Sequence, residues 1–122
     1  MENITPEIDQ VLPLTPTVFH ILLALADQER HGYGIMQEVM MMTQNRVRMG
    51  PGTLYGSIKR MLKVKLIEES DERPDPELDD ERRRYYRLTD FGRQVLAAEA
   101  RRLSALIDVA QAKHVLNGAE VI

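Results

Sequence analysis

Hydrophobic residues recur along this chain at spacings that change from block to block. Residues 18–26 are apolar on nearly every side except His20, as in a helix at the centre of its domain. Thr15-Pro16 stands before them, a capping hydroxyl followed by proline at the first helical position. Residues 27–34 break the pattern, with His31-Gly32-Tyr33-Gly34 as a turn. Ile35, Val39 and Met42 then form a helical stripe, which predicts a second helix from about Tyr33 to Met42. Arg46-Val47-Arg48 is too short for a helix and fits one small strand. Gly50-Pro51-Gly52-Thr53 opens a third helix, on which Leu54, Ile58, Met61, Leu62 and Leu66 share one face.

Residues 66–70 read as a strand, and residues 84–88, rich in β-favouring aromatics, read as its partner. The intervening residues 71–81 are acidic, contain Pro74 and Pro76, and have the composition of a mobile, solvated loop. Thr89-Asp90 caps a last helix running from Phe91 to about His114, with Asn117-Gly118 as its stop. Along it Leu96, Ala100, Leu103, Ile107, Ala110 and His114 form a heptad seam flanked by Val95, Leu106 and Val109. Residues 1–14, punctuated by Pro6 and Pro13, fit a short arm or a helical turn. The order is three helices, a hairpin and a long helix: a mostly α fold with a small β-hairpin, the winged helix-turn-helix class. The expected organisation is an N-terminal arm (1–14), a winged-helix domain (15–88) and a C-terminal dimerisation helix (89–122).

Composition narrows the class. The 122 residues suit one domain, and 43% hydrophobic residues can build a core. No apolar run approaches the ~18 residues that span a bilayer, and the first residues lack the pattern of a secretory signal, so a soluble cytoplasmic protein is expected. With no Cys there is no disulfide, thiol chemistry or Cys-ligated zinc. His20, His31 and His114 form no i,i+4 pair, so no metal site is expected. No glycine-rich phosphate loop or nucleophile elbow appears, so neither an enzyme nor a cofactor is expected. Met40-Met41-Met42 reads as core and surface filler.

The net charge of −3 hides its distribution. Residues 46–65 carry +6 with no acid, residues 82–87 carry +4, and residues 71–81 carry −6, so the chain without that acidic stretch is at +3. Local charge sets the potential that a phosphate backbone meets. On the third helix Gly52, Thr53 and Gly56 would let the backbone approach base edges, and Lys59, Arg60 and Lys63 would sit near phosphates. The plain alternative is an amphipathic helix with a solvated basic face. Arg82, Arg83 and Arg84 enter the returning strand beside that helix and would extend its basic surface; alternatively they pair with the acids of their own loop.

Three blocks together resemble the PadR-type transcriptional regulators. They are Leu14-Thr15-Pro16 through Leu25 with His31-Gly32-Tyr33-Gly34-Ile35; Gly52-Thr53-Leu54-Tyr55 with Lys59-Arg60-Met61 and Leu66-Ile67; and Arg82-Arg83-Arg84-Tyr85-Tyr86-Arg87-Leu88-Thr89 with Phe91-Gly92. They span about residues 14–110. The resemblance implies a homodimer, joined through the C-terminal helix, that represses from an inverted-repeat operator on double-stranded DNA. By position it implies DNA contacts from Tyr33, Thr53, Tyr55 and Lys59, and wing contacts from the arginines of the third block. Two departures stand out: Gly50 replaces a common capping Ser, and the acidic 71–81 loop is unlike a wing tip. Some members respond to phenolic acids or planar drugs, which leaves room for a small hydrophobic or aromatic effector; this chain has no Trp to stack on one. The acidic loop either swings clear of DNA, the favoured reading, or competes with phosphate for Arg82–Arg84. The overall acidity also keeps open a winged-helix protein-interaction adaptor that does not bind DNA.

Overall fold

The Thr15 hydroxyl accepts a hydrogen bond from the Val18 N–H at 3.2 Å, and Pro16 opens the helix it caps. The computed structural model describes residues 4–70 and 84–117. Its helices are α1 (Ile4–Val11), α2 (Pro16–Ala24), α3 (Gly32–Met42), α4 (Pro51–Lys63) and α5 (Asp90–Ala112), and its strands β1 (Arg30–His31), β2 (Ile67–Glu69) and β3 (Tyr85–Leu88). The strands form one antiparallel sheet in the order β1-β3-β2. This is the mostly helical winged helix-turn-helix architecture, with its long C-terminal helix.

The predicted apolar faces close on one another. Ile21, Leu22 and Leu25 of the α2 region, Ile35 and Val39 of α3, Leu54, Ile58 and Met61 of α4, and Val95 and Leu96 of α5 are all buried in one core. Tyr86 and Leu88 face into it from β3, while Tyr85 and Arg87 alternate to the other side. The register Ile67↔Leu88, Glu68↔Arg87, Glu69↔Tyr86 sets the two acids of β2 against β3.

The strand and turn expectations need correction. Arg46-Val47-Arg48 is not a strand: its residues alternate out and in, with Val47 and Met49 packed against the core, but no neighbouring strand offers hydrogen bonds. The third strand is instead Arg30–His31, paired with β3 at Arg30↔Tyr86 and His31↔Tyr85. The turn assigned to residues 31–34 is the start of α3, capped by His31 Nδ1, which accepts from the Gly34 N–H at 3.0 Å. α5 ends at Ala112, close to the expected end near His114 and ahead of Asn117-Gly118, where His114 takes a left-handed conformation (φ 62°). The residues before the winged helix contain a full helix, α1, and Ile8, Val11, Leu12 and Leu14 pack against the core.

Glu99 of α5 joins this N-terminal region to the rest. Its carboxylate is almost fully buried, accepts both guanidinium donors of Arg102 at 2.6 and 2.9 Å, and accepts the Leu14 N–H at 3.0 Å. The Arg102 hydrogen bond, helped by the Leu14 N–H, outweighs burial and holds the carboxyl below its usual range. A carboxylate with a depressed folded-state pKa stabilises the fold above its ordinary value of 4.5, and that contribution is lost as pH falls through the depressed value. Glu99→Gln should therefore cost about 2 kcal/mol at pH 7, the scale of hydrogen bonds to a charged group. In chemical denaturation the gap between variant and parent should narrow steadily below pH 4.5. A gap independent of pH would show that the charge of Glu99 contributes nothing.

Candidate nucleic-acid interface

Helix α4 is built with two unlike sides. Leu54, Ser57, Ile58 and Met61 are buried, whereas Gly52, Thr53, Lys59, Arg60 and Lys63 are exposed and Gly56 is half-buried. Gly50 is the N-cap and supplies no side-chain acceptor, so the first N–H groups of α4 keep their hydrogen-bonding capacity for an outside partner. No acid interrupts the helix, and among the described residues no carboxylate pairs with Lys59, Arg60 or Lys63. The Arg60 guanidinium donates to Ser57 Oγ at 3.3 Å, which lays it along the helix. A Cβ on Gly56 would meet nothing nearer than this guanidinium, at 3.7 Å. The outward surface is thus small and open at the N-terminus and cationic further along.

The aromatic residues flank this face. Tyr33 is 58% exposed, its ring stacked with His31 at 6.4 Å, and His31 meets Tyr85 edge-on at 5.2 Å. Tyr55 is 36% exposed because its ring lies over Gly32 at the start of α3. A Cβ at position 32 would collide with the Tyr55 hydroxyl and stand 2.6 Å from the ring carbon that bears it. Packing between α3 and α4 therefore occupies one side of Tyr55 and leaves the other open.

The two described arginines of the wing, Arg84 and Arg87, are paired with carboxylates. Arg84 Nη1 lies 3.1 Å from Glu69 Oε2. Arg87 lies 2.8 Å from Glu68 and 3.6 Å from Glu29. Tyr86 stands beside the first pair: burial, then the charges of Glu69 and Tyr55, push its hydroxyl above the usual range, with Arg84 acting the other way. Arg82, Arg83 and the acidic 71–81 loop lie outside the described residues. Two further cations of the basic stretch 46–65 also reach the surface. Arg46 and Arg48 are exposed on the connector into α4, whose alternation turns both outward.

Of the seam residues, Leu96 belongs to the core of its own subunit and is unavailable to a second one. Beyond Glu99 the pattern changes. Ala100 is exposed, Leu103 and Ala110 are half-buried, and Ile107 is 50% exposed beside Leu106 at 52% and Val109 at 47%. The distal half of α5 thus carries an uncovered apolar stripe.

An outward basic helix, a sheet at its flank and a long terminal helix together define a winged helix-turn-helix protein. Residues 21–98 match the family model of the PadR-like transcriptional regulators, and the chain belongs to that family. It is similar in fold to a PadR family transcription regulator of Clostridium difficile R20291, with TM-score 0.66 and 22% identity, over 80% of this chain and 97% of that one. It is also similar to Bacillus subtilis PadR in complex with operator DNA, with TM-score 0.58 and 21% identity, over 70% of this chain and 47% of that one. In sequence it is 34% identical, over 86 residues and 70% of its length, to a 37.1 kDa protein of transposon TN4556 from Streptomyces fradiae. The match spans 22% of that relative. Among the described residues no helix is long and apolar enough to cross a membrane.

Proposed function

We propose that this chain is a sequence-specific DNA-binding repressor that acts as a homodimer on an inverted-repeat operator. The observation that carries this reading is the outward face of α4, where small exposed residues at the helix start give way to cations that pair with no carboxylate among the described residues. A recognition helix meets base edges with its N-terminal residues. Thr53 and Gly56 take that place, while Gly52 leaves room for the backbone. Lys59, Arg60 and Lys63 lie further along, where phosphates run. Tyr33 and the open side of Tyr55 border the same face. The Bacillus subtilis relative bound to operator DNA supports the reading at the level of the fold.

Release by a small hydrophobic or aromatic effector belongs to this reading through the family resemblance. A cavity of about 180 Å³ between the end of α2, β3 and the start of α5 is a poor fit to such a ligand, since Asp27, Glu29, Arg87 and Arg93 line much of it.

Phosphate and base contacts separate experimentally. Lys59→Ala and Arg60→Ala should weaken binding to a selected operator and to random duplex alike, each lowering the salt slope by roughly one unit. Gly56→Leu should weaken operator binding far more than random binding, because its side chain projects where a base edge is read. Parental thermal stability of the Gly56→Leu variant, checked alongside, separates recognition from folding; a Cβ at this position is free of close contacts. An operator, obtained by selecting bound duplexes from a random pool, that Gly56→Leu still binds with parental affinity would remove α4 as the reader.

A further inference from the structure

Resting on the DNA-binding reading above, we propose that Glu69 is a built-in competitor of the phosphate backbone: Arg84 must leave it before holding a phosphate, which lowers affinity for random DNA. Glu69 pairs in register with Tyr86, so Arg84, two residues before Tyr86, is its diagonal neighbour on the same face of the hairpin. Diagonal neighbours are within reach of long side chains, and here the two meet at 3.1 Å. That face is turned toward α4, since β2 packs against α4 and Tyr86, opposite Glu69, enters the core that Leu54, Ile58 and Met61 of α4 help to build. The pair therefore stands at the root of the wing, on the sheet face that packs toward α4.

The pair is suited to exchange. Both side chains are about two-fifths exposed (42% and 39%), and exposed pairs are weak because water and salt screen them. A phosphate can take the place of Glu69 at Arg84. The displaced carboxylate then stays close to the DNA, an unfavourable charge that every complex must carry. Arg87 contrasts with this arrangement: on the opposite face it lies against two carboxylates, Glu68 and Glu29. The hairpin thus commits one arginine to the sheet and holds the other ready to change partners.

The test is fluorescence anisotropy of full-length protein on a random-sequence duplex, between 50 and 200 mM salt, on the order of the range over which phosphate contacts dominate affinity. Glu69→Gln keeps the shape of the side chain. It should tighten random binding several-fold at the low-salt end and steepen the salt slope by about one unit. Arg84→Ala alone should weaken binding modestly. In the double variant the gain from Glu69→Gln should vanish, because the liberated arginine is gone. Unchanged affinity and slope in Glu69→Gln would overturn the proposal. So would a gain that survives in the double variant, which would make Glu69 a general repulsive charge rather than a partner of Arg84. Lys59→Ala in the same series reports separately on the underlying reading. If it has no effect while the Arg84-dependent gain appears, the competitor stands and the main DNA surface moves to the wing.

Discussion

Replacing Gly92 by alanine is expected to destabilise the fold by about 3 kcal/mol, the upper part of the usual range for forced overpacking. Elsewhere in a helix the same change gains up to ~1 kcal/mol, because alanine is the better helix former. The sign is reversed by the join between the third helix of the winged helix and the last. The Thr89 N–H donates to the Leu66 carbonyl at 3.1 Å, and its single hydroxyl proton goes to Lys65 O at 2.6 Å, with Leu66 O also within 3.1 Å of the hydroxyl. The same hydroxyl accepts the Gly92 N–H at 2.9 Å. These bonds draw the first turn of α5 onto the Leu66 carbonyl. A Cβ on Gly92 would overlap that oxygen and stand 2.9 Å from its carbon. The obstacle is backbone and cannot rotate away. Gly56→Ala is the matched control: it lies within a helix with room around it and should be neutral or slightly stabilising. Thermal or urea unfolding compares the two. A Gly92 variant at least as stable as the parent would mean that this contact does not constrain the start of α5.

The second large effect concerns assembly. The double variant Leu103→Asp, Ile107→Asp should be monomeric by light scattering at concentrations where the parent is dimeric. α5 has 23 residues, which makes it ~34 Å long. Its proximal part is used by its own subunit through Val95, Leu96 and Glu99. Its distal part shows Leu106, Ile107 and Val109 about half exposed, with Val115 and Leu116 continuing past its end. Contiguous apolar surface of this kind marks an interaction site, and a seam with heptad spacing suits a second copy of itself. A monomer would engage one half-site at a time, so operator affinity should fall by on the order of a hundredfold through lost avidity. Leu96→Asp makes the contrast, since that position is core and the change should unfold the subunit. Unchanged dimer mass in a folded double variant would place the interface elsewhere.

Local signals carried most of the architecture. The capping hydroxyls of Thr15 and Thr89, the prolines at Pro16 and Pro51, and the apolar stripes of the four larger helices are contiguous in sequence and could be read directly. What escaped depends on partners distant along the chain. β1 has two residues and no alternation of its own, and it exists because β3 lies beside it. Arg46-Val47-Arg48 alternates like a strand, but a strand needs a neighbour. The pairing of Arg84 with Glu69 crosses two strands and depends on register, which composition does not reveal. Glu99 did leave a trace: it is an acid set among Val95, Leu96 and Leu103, with an arginine three residues on. A charge inside an apolar stripe with a helical partner within reach is the signature of a buried, satisfied ion. The basic face of α4 was legible as charge, but that no carboxylate among the described residues pairs with it is a property of the folded arrangement.

The ring of Tyr55 resting on Gly32 has a consequence for evolution and for engineering. Helices α4 and α3 share a contact in which one side has a full aromatic ring and the other has no side chain at all. Neither position is free to drift alone. A methyl at 32 displaces the tyrosine, and loss of the tyrosine leaves a groove at 32 that a larger residue would fill. Among relatives the two positions should change as a pair. Grafting a foreign third helix onto this scaffold must therefore transplant residue 32 with it, or the graft will sit tilted on its support.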